Sequence, residues 1–152
     1  MTNWIKYLQI DDKYPENEER NKVLKFIFLW IKCNEYYNNK YCDICGDKNK
    51  FIELKENITM QCNYSQYSEE FLAKFEEFVP ERRPNCYVID MKHQNRKVYY
   101  HRFDKRRLED LLKVIYQIRC NLFHGEKEPT SENIKFVCWA YDCLNILFKD
   151  II

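Results

Sequence analysis

The sequence predicts an all-α fold: a bundle of about four to five helices with a short β-hairpin inserted before the third main helix. Three observations carry this expectation. The 152 residues include only two glycines and four prolines, too few turn-formers for a chain of many short strands. Apolar residues recur at helical spacing along most of the length. Only the stretch from Val79 to Phe103 breaks that rhythm. The length suits one domain spanning residues 1–152, able to bury about two-thirds of its unfolded surface.

The elements follow in order. Asn17 to Tyr37 reads as the first helix. Its middle, Val23 to Ile31, is apolar on nearly all sides, which predicts a buried central helix. Asn38, Asn39 and Lys40 end it, and Tyr41 to Lys50 is a polar loop. Lys50 to Met60 is a weaker helical segment. Ser68 to Phe78 forms the second clear helix, with Phe71, Leu72, Phe75 and Phe78 on one face. Ser68 is its expected N-cap, followed by Glu69 and Glu70 in the first turn.

Pro80 and Pro84 open the irregular stretch. Cys86 to Ile89 and Lys97 to Tyr100 are β-branched and aromatic, and the polar residues between them suit a hairpin. The third main helix runs from Asp104, a good N-cap, to Phe123, with Gly125 just past its end. Pro129-Thr130-Ser131 restarts the chain. The last helix reaches Phe148, with Ile134, Val137, Cys138, Tyr141 and Phe148 inward. No internal repeat or low-complexity tract is present.

Composition narrows the function. Lys and Arg total 25 against 24 Asp and Glu, so net charge is +1 and gives no global pull toward nucleic acid. A local basic surface remains. Lys92, Arg96, Lys97, Arg102, Lys105, Arg106 and Arg107 interleave with Tyr99, Tyr100 and Phe103, and Arg82-Arg83 lies nearby. Basic and aromatic residues together suit single-stranded RNA, and a solvated face is the plainer reading. The first twelve residues show no basic region followed by a long apolar run, so a soluble, cytoplasmic protein is expected. The eight cysteines then read mostly as reduced core residues. Cys42-Asp43-Ile44-Cys45-Gly46 has the shape of a zinc knuckle. Cys62, Cys86, His93 and His101 are the candidates to complete it, but none forms a second paired motif. Reduced loop thiols, with no metal and no cofactor, are therefore the expectation.

Arg119 is the residue that breaks its own helix pattern. Leu108, Leu111, Leu112, Ile115, Ile118 and Leu122 define an apolar stripe, and Arg119 falls about 20° from Leu108. A guanidinium there keeps its charge and needs a partner or a wet cavity. Asn34 is a second anomaly, on the stripe of Val23, Ile27 and Trp30. The two can meet between their helices, with the asparagine carbonyl holding the guanidinium and Glu35 as a charged alternative. Plainer readings are a structural ion pair for Arg119, a dipole-favoured helix end for His124, and core or interface roles for Tyr116 and Phe123.

Arg119-x4-His124, at the end of a helix in an all-helical domain, resembles the Rx4-6H motif of HEPN domains (higher eukaryotes and prokaryotes nucleotide-binding). Ile115 to Lys127 is similar to the long form of that motif in many bacterial members. Phe28 to Tyr37 is similar to their first-helix pattern, in which a tryptophan precedes an asparagine and a tyrosine. The resemblance implies an up-down bundle that dimerises, with two motifs facing each other in a composite cleft. It also implies metal-independent endoribonuclease activity, often in toxins or defence effectors, although other members bind nucleotides or RNA without cutting. Two departures stand out. Cys120 occupies the place where many members carry a polar residue, often asparagine, and Asn121 comes one later. Glu126 stands where the subgroup silenced by nucleotidylation has a tyrosine.

Metal-free RNA cleavage needs a base for the 2′-OH, a cation for the phosphorane and an acid for the departing 5′-oxygen. Histidine exchanges protons near neutral pH and suits base or acid, which assigns His124. Arginine presents a planar fork to phosphate oxygens, which assigns Arg119. Asn121 is the candidate to bond the phosphate or orient His124. The expected function is an endoribonuclease acting as a homodimer in phage defence, toxin–antitoxin or stress response, its partners RNA and an antitoxin or defence-system protein. The alternatives are a non-catalytic module that binds RNA, nucleotide or a protein partner, and a structural dimerisation domain.

Overall fold

Helices dominate the architecture, and one of them carries its apolar residues on more sides than its neighbours cover. A computed structural model describes residues 2–9, 17–77, 87–90, 96–99, 107–124 and 128–152. Within them run α1 (Thr2–Leu8), α2 (Glu18–Lys40), α3 (Asp47–Ile52), a 3-10 turn (Glu53–Glu56), α4 (Ile58–Glu77), β1 (Tyr87–Asp90), β2 (Arg96–Tyr99), α5 (Leu108–Phe123) and α6 (Ser131–Leu147). The fold is all-α, as the sequence predicts, with a helix count raised by the short α1 and α3.

Asn17 starts α2: its side-chain oxygen accepts the Arg20 N–H at 2.7 Å, and Glu18 and Glu19 fill the first turn. Val23, Phe26, Trp30, Cys33 and Tyr37 form the buried face, against which α6 and α3 pack. The helix is not enclosed on all sides, contrary to the reading of Val23 to Ile31. Phe28 and Ile31 stay 64% and 57% exposed. Its neighbours cover only one broad face, and nothing among the described residues covers the remainder.

The polar loop is shorter than expected. Ile44 N–H bonds the Tyr41 carbonyl at 3.0 Å to close a turn, and Gly46 follows with φ 91°. Few side chains tolerate that backbone, so glycine is what lets the chain turn directly into α3. The weak segment at 50–60 resolves into the end of α3, the 3-10 turn and the start of α4. Asn57, not Ser68, caps α4: its side-chain oxygen accepts the Met60 N–H at 3.0 Å. Ser68 is buried in mid-helix. No glycine or proline lies between 58 and 77, so nothing stops the helix at the polar stretch that obscures its period.

The hairpin pairs Tyr87 with Tyr99, Val88 with Val98, Ile89 with Lys97 and Asp90 with Arg96, one residue from the expected strand limits. It lies against α5. The expected caps of α5, Asp104 and Gly125, lie outside the described residues. Thr130 caps α6 by accepting the Asn133 N–H at 3.2 Å. The inward face of α6 is rotated from the expected one: Phe136, Val137, Trp139, Ala140, Cys143, Leu144 and Leu147 are buried, while Ile134, Cys138 and Tyr141 are half-buried.

The indole N–H of Trp139 donates to the Phe71 carbonyl at 2.9 Å and ties α6 to α4. Beside it the Phe75 ring sits 4.6 Å from Trp139 and 5.4 Å from Phe136, fully buried. Phe75→Ala leaves a cavity there and is expected to cost about 3–5 kcal/mol. A lower urea midpoint at unchanged slope checks it, and a loss well under 1 kcal/mol would contradict this packing.

Candidate active site

Arg119 is half-buried, on the flank of α5 rather than at the centre of its apolar face. The buried face includes Val114, Gln117 and Asn121 as well as the leucines and isoleucines, which moves its centre away from Leu108. Tyr116 and Phe123, also half-buried, lie beside Arg119 on the same flank. The guanidinium carbon is 5.6 Å from the ring centres of Trp30 and Tyr116 and 5.1 Å from that of Phe123. Its only polar contact among the described residues is a long one, from Nη1 to the Cys120 sulfur at 3.8 Å. Nε is buried and has no hydrogen-bond partner. Among the described residues no carboxylate ion-pairs with it, so the plainer reading of a structural ion pair finds no partner there. Aromatic faces stabilise the charge without consuming the N–H donors.

Beneath the guanidinium lies an aromatic cluster. Trp30 sits 4.8 Å from Phe51 and 5.9 Å from Tyr116, and Phe51 sits 5.8 Å from Tyr116. Its polar end converges on one carboxylate. Asp47 Oδ2 accepts from the Tyr116 hydroxyl at 2.9 Å, and Oδ1 accepts from the Tyr37 hydroxyl at 2.9 Å and the Asn34 amide at 3.1 Å. The Asn34 amide also reaches the Tyr37 oxygen at 2.6 Å. Burial, with Asp47 adding to it, lifts both phenols well above their ordinary range, so both remain protonated donors. Asn34 does not hold Arg119 by its carbonyl: the guanidinium's polar contact among the described residues goes to Cys120, and the Asn34 amide meets Tyr37 and Asp47 where α3 crosses α2. Glu35 is exposed and makes no ion pair with a described residue. Asp47 itself was invisible as a site residue, since a lone aspartate after CxxCG reads as loop; the glycine before it was the available signal.

His124 is the C-cap of α5, exposed, with its backbone N–H bonded to the Cys120 carbonyl at 3.0 Å. No hydrogen bond or ion pair joins its ring to another described residue. Five residues of helix put Arg119 and His124 about 7.5 Å apart along the axis and about 140° apart around it. Asn121 is only 4% exposed, and its oxygen accepts from the Gln117 amide at 2.9 Å. It lines a small cavity with Trp4, Phe136 and Val137. Its side chain thus faces the core and not the exposed end of α5 where a phosphate contact or an orienting bond to His124 is expected of it.

Of the basic cluster, Arg96 and Lys97 are exposed on β2. Arg107 reaches Glu109 at 3.6 Å and Asp110 at 3.9 Å, which offsets part of its charge. Arg102 and Arg106 lie outside the described residues. Cys42 and Cys45 are exposed in the turn before α3, and Cys62 is exposed on α4. Cys86, His93 and His101 lie outside the described residues, within which no three His, Cys, Asp or Glu side chains gather as a metal site. No described helix is long and apolar enough to cross a membrane.

Comparison with protein-family models, curated proteins and solved structures finds no match.

The cysteines divide by burial. Burial pushes the Cys138 thiol up to about 12 and also lifts Cys33 and Cys143 well above the ordinary thiol range. At pH 8, iodoacetamide should label Cys42, Cys45 and Cys62 first, and reach Cys33 and Cys143 only after denaturation. Peptide mass spectrometry reads the order, and early labelling of Cys33 would contradict the core packing of α2.

Proposed function

We propose that this chain is a metal-independent endoribonuclease of HEPN type, working as a homodimer in defence, toxin–antitoxin or stress response. The observation that carries the reading is the state of Arg119. Its charge rests on three rings, no described carboxylate pairs with it, and an exposed histidine follows at the helix end. Such a guanidinium has donors left for phosphate oxygens. A structural arginine of this burial would ordinarily be paired.

The chemistry assigned to the pair is a transfer within RNA. A base takes the proton from the 2′-OH, whose oxygen attacks the adjacent phosphorus. Arg119 holds the non-bridging oxygens as the phosphorane gains charge. An acid gives a proton to the departing 5′-oxygen. The products are a 2′,3′-cyclic phosphate and a 5′-hydroxyl. One His124 serves as base and the partner's His124 as acid.

A second copy is favoured by two features of one chain. Arg119 and His124 diverge around α5 by about 140°, so a cleft built from two motifs brings together what one motif holds apart. Phe28 and Ile31 offer an exposed apolar face on α2, the helix whose Trp30 supports Arg119. Covering that face with a second α2 removes apolar surface from water. Arg96 and Lys97 on β2 are candidate contacts for the RNA backbone.

Incubation of purified protein with mixed cellular RNA in EDTA tests the activity. Wild type is expected to cut and leave 2′,3′-cyclic phosphate ends, with His124→Ala and Arg119→Ala each slower by about 100-fold or more. No cutting by wild type, or cutting by both variants at the wild-type rate, would move the reading to a binding module for RNA, nucleotide or a protein partner. Sedimentation tests the assembly. Phe28→Asp with Ile31→Asp should convert a dimer to a monomer and abolish cutting, whereas an unchanged mass would place any dimer contact elsewhere.

A further inference from the structure

We infer that Asp47 is a positioning residue for Arg119, acting through the Tyr116 ring; its consequence for cleavage rests on the nuclease reading above. The guanidinium has no strong polar partner among the described residues, so the surrounding rings set where it lies. Trp30 is locked in the core. Phe123 is half-buried at the last turn of α5 and has no polar anchor. Tyr116 is half-buried too, but its hydroxyl is bound to Asp47 Oδ2 at 2.9 Å. That bond pins the far end of the ring while the α5 backbone holds the near end. Arg119 follows three residues later, one turn along the same flank.

The plainer role for Asp47 is to complement the N-terminus of α3. Its contacts point elsewhere. The cap position of α3 is Gly46, and no side chain caps that end. The Asp47 oxygens instead take donors from α2, through Asn34 and Tyr37, and from α5, through Tyr116. The carboxylate thus joins three helices at the base of the aromatic cluster. The arrangement has a chemical advantage. A carboxylate touching Arg119 would occupy the N–H groups that phosphate needs. Asp47 acts at one remove, fixing the platform and leaving those donors unclaimed.

The test reads position and activity separately. Nitrogen-15 NMR follows the Arg119 Nε–H, assigned by its loss in Arg119→Lys. Beside three rings and out of water, it should be displaced by ring currents and slow to exchange. Asp47→Ala and the near-isosteric Tyr116→Phe should move it toward the position of a solvated arginine and speed its exchange. Asp47→Asn keeps one acceptor oxygen and should fall between. In the cleavage assay kcat should fall about tenfold in Tyr116→Phe, with KM changed much less. Should Asp47→Ala fail to fold, Asp47→Asn and Tyr116→Phe carry the test. An unmoved Arg119 signal in those two variants overturns the inference, and a moved signal with wild-type kcat overturns its consequence for cleavage. If wild type cuts no RNA yet the signal moves, the nuclease reading falls and the positioning role stands.

Discussion

The arrangement depends on how one carboxylate is satisfied where α2, α3 and α5 meet. Asp47 enters an aromatic environment at the start of a short helix, where an acid without partners would be costly. Two phenols and an amide meet it, each charge-assisted bond contributing about 1.5–3 kcal/mol. None of the three donors comes from α3 itself. The acid therefore works between helices: it fixes α3 against α2 and pins the Tyr116 ring of α5. The turn into α3 relies in its own way on Gly46, whose backbone at φ 91° few other residues adopt without strain. A glycine, an aspartate and two tyrosines thereby decide where Trp30, Phe51 and Tyr116 lie, and the guanidinium of Arg119 rests on that surface.

Among the described residues, charge at this site is handled without ion pairing. The chain is close to neutral overall, with acids and bases that find one another on exposed helical faces, as Lys74 does with Glu70 and Lys113 with Glu109. Such surface pairs are weak. Arg119 departs from that habit: it sits half out of water against rings, which lowers the cost of desolvation while leaving its hydrogen-bonding edge unsatisfied. A residue held in that condition gains most from an anion that brings its own oxygens. Unpaired among the described residues, Arg119 fits the proposed phosphodiester contact.

Much of the fold was legible because long helices repeat their signal. The stretches that became α2, α5 and α6 showed periodic apolar residues, and the alternating residues of the hairpin were visible within one position of their observed pairing. Shorter or more polar elements left weaker traces. The seven residues of α1 give barely two turns of pattern, and the polar run before Phe71 hid the first half of α4. At the site, Arg119 and His124 stood out because a cation in an apolar stripe and a spaced motif are local features. The centre of the α5 face was misjudged because Gln117 and Asn121 are polar yet buried, where they bond to each other. Asn34 was right as an anomaly and wrong in its partner, since the partner sits thirteen residues on in a helix the loop-like sequence concealed.

That error locates where sequence reasoning runs out. A polar residue on a buried stripe announces that it needs a partner, but not which one, because partners are chosen by how helices cross. Asn34 and Arg119 each broke a local rule, and linking them directly was the simplest resolution. The fold instead resolves them apart: a carboxylate from α3 takes the asparagine, and rings take the arginine. The two stay linked through Tyr37, Asp47 and Tyr116, side by side between them. An arginine joined directly to Asn34 would have been a finished structural contact. One supported at a distance keeps its edge unfilled, as the proposed phosphate contact requires.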